Sequence, residues 1–452
     1  MSGTPGLLPA KGKGLSIWTQ GLPFTHVGGK VLVGRKRANS KPKHFDDITS
    51  LQRSFSLRDG IKDLQNHKWR KMDIQYLVLA IILFFSLAVS PEAPVVKTAA
   101  VTLGGCLLLM PATRQFFLPS LPIWIWLVYF FCSRFISYDY RPHIWVRVLP
   151  ALENVLYGAN LSNILSAHQH PILDLLAWLP YGIMHFGAPA VCSLVMFVFA
   201  APGTTAVFAP TFGWMSLLGV TIQLCFPCTP PWYENENGLV PAKYGMPGSP
   251  AGLARIDAIF GFDMYTTNFT NAPLPFGAFP SLHAANAVLE ALFMCHCFPQ
   301  FRTAFVVYAG WVWWATMYLS HHYAVDLVGG GLIAAAFFYT VRARWLPRRQ
   351  ADKITRWDYD YVETGDFADV VDEERGEVFG LGLLRQSSDS SDSWTLGSTS
   401  SGWSSGSGTL SPITSESSGP SSAVGDGDMY SKLDRHTPPP RDIDIKDVFG
   451  MR

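Results

Sequence analysis

FGAFPSLHAANAVLEALFMCHCF (Phe276–Phe298) opens on glycine and proline, sets a serine and a histidine at a helix start, and then runs apolar to its end. Pro280-Ser281 is a helix-start signal with Ser281 as the N-cap. The run Ala284–Phe298 that follows predicts a membrane helix, short against a hydrocarbon core of roughly 30 Å. His283 in its first turn would by itself be an ordinary interfacial polar residue. A second stretch, YLSHHYAVDLVGGG (Tyr318–Gly331), changes its meaning, because it places His322 and Asp326 at the start of another apolar run.

Around these stretches the chain has the composition of a membrane protein with polar ends. Of its 452 residues 48% are hydrophobic and only 15% charged, against roughly 25% charged in soluble proteins. Eight apolar segments are predicted, at about 74–89, 95–116, 118–136, 172–199, 206–228, 284–298, 303–319 and 323–342. The expected fold is all-α: a polytopic membrane helical bundle of about eight transmembrane helices spanning residues 73–346. Prolines Pro111, Pro180 and Pro189 are tolerable in such a bundle, where neighbours satisfy freed carbonyls.

The ends differ from the bundle and from each other. Residues 1–71 carry fourteen Lys or Arg against four Asp. Beside a membrane segment this basic region, 1–72, reads as a cytosolic arm held near anionic lipid, not as a nucleic-acid-binding arm. Met1–Lys13 lacks an apolar core, so no signal peptide is expected and the first membrane helix serves as targeting signal. Residues 347–452, with SSDSSDSWTLGSTSSGWSSGSG (Ser387–Gly408) at their centre, cannot build a core and are expected to be a disordered cytosolic tail.

Arg114, Arg302 and RARWLPRR (Arg342–Arg349) fall on the same side of the alternating connections as the basic arm. By the positive-inside rule that side is cytosolic. The loops around 137–171, 229–281 and 320–322 then lie on the opposite, lumenal face. In the first of them RVLPALENVLYGANLSNIL (Arg147–Leu165) has helical spacing and fits an interfacial helix. Asn160 and Asn268 match the glycosylation pattern on that face. Seven scattered cysteines, with Cys225 and Cys228 as a lone CxxC, read as packed or free thiols.

Topology joins the two histidine stretches. From His283 the chain crosses the membrane, returns, and meets His322 at the same face. Asp326, four residues on, can hold one nitrogen of His322 as N–H and leave the other free to react. A helix N-terminus at Ser281 adds backbone N–H groups for an anion. Two histidines, one oriented by a carboxylate, beside an anion site in a membrane suit phosphoryl transfer on a lipid.

PSLH (Pro280–His283) and HYAVD (His322–Asp326) resemble the second and third motifs of the type-2 phosphatidic acid phosphatase superfamily, P-S-G-H and S-R-x5-H-x3-D. More closely, FGAFPSLH, TMYLSHHYAVDL, PAGLARIDAIFGFDMYTTNFT (Pro250–Thr270) and VLPALENVLYGANLSNIL resemble the fungal inositol phosphorylceramide synthase catalytic-subunit family, over roughly residues 134–345. The resemblance implies a six-helix lipid-phosphatase-like core at about 118–346. It also implies transfer of phosphoinositol from phosphatidylinositol to ceramide, with diacylglycerol released. His322 would be the nucleophile, Asp326 its orienting acid and His283 the general acid and base. The resemblance calls for no metal and no cofactor. It implies a small membrane regulatory subunit as partner, and a Golgi membrane location with the site on the lumenal face.

The departures from the motifs are specific. Leu282 stands where the superfamily has glycine, and the Ser-Arg of the third motif falls on Ala315-Thr316. The phosphate therefore needs other cations, for which Arg134 and Arg141 (an Arg-x6-Arg-Pro match to the first motif), Lys243 and Arg255 are candidates. Arg255 could equally pair with Asp257 or Asp263. Glu290, seven residues after His283, lies on nearly the same face and about 10 Å deeper; it suits either a ceramide contact or a hydrogen bond to another helix. Asp174 and His185 in the fourth segment fit a structural role better. The same triad would also serve a lipid phosphatase or diphosphatase, and a silent transporter or scaffold could keep the fold.

The alternating loops predict both tails on the cytosolic side. In sealed microsomes, added protease should remove a tag placed after Arg452, and a protected tag would refute the parity argument.

Overall fold

The structure, a computed structural model, describes residues 49–365, 370–372 and 377–379. Most of the basic arm and most of the expected tail lie outside these residues. The described part is helical, apart from strands Val370–Asp372 and Glu377–Phe379, which pair antiparallel. After α1 (Leu57–Gln65), capped by Ser56, come α2 (Ile74–Val89), α3 (Pro94–Leu109) and α4 (Pro111–Cys132). The break between the second and third segments thus lies at Pro111, not near residue 117. Pro111 has no N–H to continue a helix and forces Met110 into extended backbone (ψ 123°). Arg114 accordingly sits in the first turn of α4, bonded to Asp63 of α1.

The fourth segment is one rod with a widened turn: α7 (Pro171–Trp178), a π-helical stretch Leu179–Met184, and α8 (His185–Phe199). Then follow α9 (Thr204–Cys225), α13 (Leu282–Cys297), α14 (Arg302–Tyr318) and α15 (Ala324–Arg344). Shorter helices lie between them: α5 (Val148–Tyr157) and α6 (Leu161–Ser166) before the fourth rod, α10 (Pro231–Asn237), α11 (Leu253–Phe260) and α12 (Met264–Thr270) before α13. Among the described residues, five helices are long and apolar enough to cross a membrane: 71–89, 111–135, 171–199, 204–225 and 324–344. At 16 and 17 residues, α13 and α14 are shorter.

α13 is the axis of the bundle. Met196 of α8, Phe208, Phe212 and Met215 of α9, Leu289 and Phe293 of α13, and Ala334 and Phe338 of α15 form one core. The outward faces keep Phe84, Val95, Phe186, Leu194, Val306 and Leu332 exposed, as expected where lipid replaces water as the solvent. Close crossings are set by glycine. A Cβ on Gly213 of α9 would stand 2.5 Å from the Ile123 nitrogen of α4, and one on Gly330 of α15 would stand 2.2 Å from the Ser281 carbonyl oxygen. The second crossing brings the starts of α13 and α15 together.

The C-terminal boundary differs from the expected one. After α15 the chain stays on the bundle to residue 365: Tyr359 and Val362 pack with Ala201, and the Arg356 guanidinium lies 4.1 Å from the ring centre of Phe197. Composition does not single out this segment, whose aromatic residues are spaced among charged ones; the Ser-rich stretch 387–408 lies outside the described residues.

Gly330→Ala should separate α13 from α15, because the clash is with backbone that no rotamer change relieves. A stability loss of about 1–3 kcal/mol is expected for such overpacking, read as a lowered melting temperature in detergent. Gly329→Ala meets only the edge of the Phe279 ring, at 2.5 Å, and should lose less.

Candidate active site

α14 ends in a Schellman motif that aims the histidines. Ser320 takes the left-handed position (φ +60°), its N–H donates to the Met317 carbonyl (2.9 Å), and the His321 N–H donates to Thr316 (3.0 Å). Glycine usually fills this position, since a side chain there is strained. The surrounding loops hold it: the Trp232 N–H donates to the Ser320 carbonyl, the Gly252 N–H to Leu319, and the Ser162 hydroxyl to Met317. His322 follows immediately and lies before α15, not within its first turn.

Asp326, the partner of His322, is thus also a capping residue of α15. The Asp326 Oδ2 accepts the Tyr323 N–H at 2.9 Å and stands 3.5 Å from His322 Nδ1, with the carboxylate fully buried. Asp326 also accepts the Ser281 N–H on its backbone carbonyl at 3.1 Å. Ser281 in turn caps α13, its hydroxyl accepting the Ala284 N–H. These bonds place the His283 and His322 rings 5.5 Å apart, centre to centre. His283, His322 and Asp326 are brought together as the sequence led one to expect.

Two residues of the fourth rod join them. The Tyr181 hydroxyl lies 3.3 Å from His283 Nε2, and the His185 ring centre lies 4.4 Å from that of His283. Tyr181 belongs to the π-helical turn, a feature frequent at functional sites. Pro180 in an apolar run was the only sequence signal for it. His321 packs between Tyr181 and Phe269, at 5.2 and 4.7 Å. Burial, with the neighbouring His322, pushes its pKa down to about 3, so it stays neutral.

None of the candidate cations contacts the histidines. Arg141 spends its donors on the carbonyls of Ser133, Arg134 and Ile136, between the rings of Tyr138 and Tyr244. Arg134 donates to the Asn271 carbonyl, and Lys243 is exposed. Arg255 pairs with neither Asp257 nor Asp263. Its Nε and a terminal nitrogen both donate to Asp174 Oδ1 (2.9 and 2.7 Å), which also accepts the Tyr318 hydroxyl at 2.8 Å. Burial opposes its charge, yet Asp174 outweighs burial and raises the Arg255 pKa. Asp257 instead accepts from the Tyr265 and Thr266 backbone. Glu290 accepts the Tyr308 hydroxyl of α14 at 3.1 Å, the interhelical bond that was one of its two readings.

The departures from the motifs have local explanations. Leu282 fills the space over Gly219 of α9, where a Cβ would meet its Cδ2 at 2.4 Å. Thr316 is buried and turns its hydroxyl back to the Trp313 carbonyl.

Residues 145–340 match the model of the PAP2 superfamily. The inositol phosphorylceramide synthase catalytic subunit of Schizosaccharomyces pombe is 51% identical over 70% of this chain and 75% of its own length. That of Saccharomyces cerevisiae is 42% identical over 71% and 80%. The chain belongs to the inositol phosphorylceramide synthase family. A phosphoinositol dihydroceramide synthase of Bacteroides thetaiotaomicron is 28% identical over 43% of this chain and 69% of its own.

The Arg255–Asp174 pair ties the 229–281 loop to the fourth rod. Asp174→Asn and Arg255→Ala should both lower thermal stability, by about 1–3 kcal/mol for a lost charged hydrogen bond. Activity kept in Asp174→Asn but lost in Arg255→Ala would show that the guanidinium has a role beyond this anchor.

Proposed function

We propose that this family member transfers phosphoinositol from phosphatidylinositol to the primary hydroxyl of ceramide, through a phosphohistidine on His322. The observation that carries this is the placement of two histidines from separate helix starts within 5.5 Å of each other, with the Asp326 carboxylate behind one of them. Asp326 on Nδ1 leaves Nε2 of His322 as the nucleophile. Its attack on phosphorus breaks the bond to the diacylglycerol oxygen, and His283 gives that oxygen a proton. In the second half His283 takes the proton of the ceramide hydroxyl, whose oxygen attacks phosphorus while the P–N bond breaks. His322 returns to its starting state and His283 again carries a proton.

The pair contact of 3.5 Å is long for a hydrogen bond, and such contacts tighten as charge develops on the imidazole. Equatorial phosphate oxygens would meet the α13 start, where the Leu282 and His283 N–H groups have no protein acceptor among the described residues. Burial of His322 and Asp326 supports transfer over hydrolysis, since it limits water at the intermediate. The same reading places the protein in a Golgi membrane with eight spans, a lumenal site and both tails cytosolic. A small membrane subunit is expected alongside it, because the S. pombe and S. cerevisiae relatives are catalytic subunits by name.

Purified protein given labelled phosphatidylinositol and ceramide should form inositol phosphorylceramide and diacylglycerol. His322→Ala should reduce this at least about a hundredfold, as loss of a nucleophile does. Residual activity well above that level would remove His322 from the role.

A further inference from the structure

Beside the triad stands a buried acid that the reaction above does not use. Glu153 of α5 is 0% exposed. Its Oε1 accepts the N–H groups of Leu161 (3.3 Å) and Ala324 (3.2 Å), and its Oε2 accepts that of Val325 (3.2 Å). No basic side chain pairs with it among the described residues. A buried carboxylate in that state is balanced by what it holds, here the positive end of α15 and the start of α6.

We infer that Glu153 is a positioning residue for the His322–Asp326 pair, acting through the N-terminus of α15. The inference rests on the reading of His322 and Asp326 as the reacting pair. Ala324 and Val325 lie directly between those two residues, so the carboxylate grips the backbone that connects them. Tyr323, the remaining residue of the connection, is held from the other side, its hydroxyl donating to Glu234 Oε2 at 2.9 Å. Asp326 takes the Tyr323 N–H and Glu153 takes the next two, so the first-turn amides of α15 are occupied. That leaves the open amides of α13 for the substrate phosphate. Displacing the start of α15 would move Asp326, and with it Ser281, whose N–H it accepts. Away from Glu153, α5 leaves Leu152, Val155 and Leu156 exposed, at 42%, 80% and 62%, so the helix that carries Glu153 can lie in the lipid interface while it holds the site.

The test uses the full chain purified in detergent, with turnover and both lipid KM values measured beside the melting temperature. Glu153→Gln keeps the size but sets an amide donor against backbone N–H groups. Turnover should fall about 10- to 100-fold, the usual cost of a misplacement near 1 Å, with both KM values unchanged. Turnover within about threefold of the parent overturns the inference. So does a fall in which KM rises in step, because that would make Glu153 a substrate contact. Should Glu153→Gln not fold, Glu153→Asp replaces it: charge retained and reach shortened, it must lose part of the turnover at constant KM, and parental turnover overturns the inference again. His322→Ala is the control arm. If it stays active, the reading of the site has failed; if it is inactive and the Glu153 variants are normal, only the present inference has.

Discussion

A single backbone hydrogen bond organises the site: the Ser281 N–H donates to the Asp326 carbonyl at 3.1 Å. It joins the first residues of two helices that are some forty residues apart in sequence and antiparallel to the helix between them. The bond can form only because α15 has no side chain at Gly330, where a Cβ would fall 2.2 Å from the Ser281 oxygen. An amide bond is worth only about 1 kcal/mol net, so it selects a register more than it stabilises the bundle. The stabilisation comes from the core that Phe208, Phe293 and Phe338 share below it. Register is what brings His283 and His322, at two different helix starts, to a ring separation of 5.5 Å.

The turn that carries the second histidine is held in another way. Ser320 in a left-handed conformation is a strained solution, with a cost of the order of 1 kcal/mol. The loops compensate by bonding Met317, Leu319 and Ser320 from three separate segments, at Ser162, Gly252 and Trp232. The same loops are stitched to each other where Trp145, Cys228 and Gly277 run side by side. Rigidity at the turn thus comes from outside the membrane helices. The long 229–281 connection serves this purpose in part, with Arg255 on Asp174 as its tie to the fourth rod.

These two modes explain what could be read in the sequence. Apolar runs report burial or lipid exposure of whole segments, so the long helices were legible, with an error where Pro111 rather than composition decides a boundary, whereas the short helices within 229–281 were not. Helix starts and topology were enough to bring His283, His322 and Asp326 to one face. Tyr181, Gln223 and Glu153 were not legible. Tyr181 reaches His283 through a π-helical turn whose register no 3.6-residue pattern anticipates. The Gln223 amide donates to the Pro280 carbonyl from a helix 57 residues away, and Glu153 meets α15 across 171 residues. Their partners are backbone groups, which carry no residue-type signal. Arg255 shows the converse: its sequence neighbours Asp257 and Asp263 were plausible partners, yet the fold gives it Asp174, 81 residues earlier.

The substitution of leucine for glycine in PSLH follows from the same packing. Leu282 is the first residue of α13 and would cover the helix start if its side chain had nowhere to go. Gly219 of α9 provides the place, a contact that any Cβ there would close at 2.4 Å. With the leucine turned into that gap, the backbone amides of Leu282 and His283 stay uncovered. Position 316 shows the other half of the exchange, a buried threonine where the superfamily motif has arginine. On the proposed reading, phosphate charge is then met by amides, imidazoles and a helix end more than by a guanidinium fixed in the third motif. Such a site attracts free phosphate monoesters less strongly and depends more on the lipid for binding, which suits a donor that carries one phosphodiester charge.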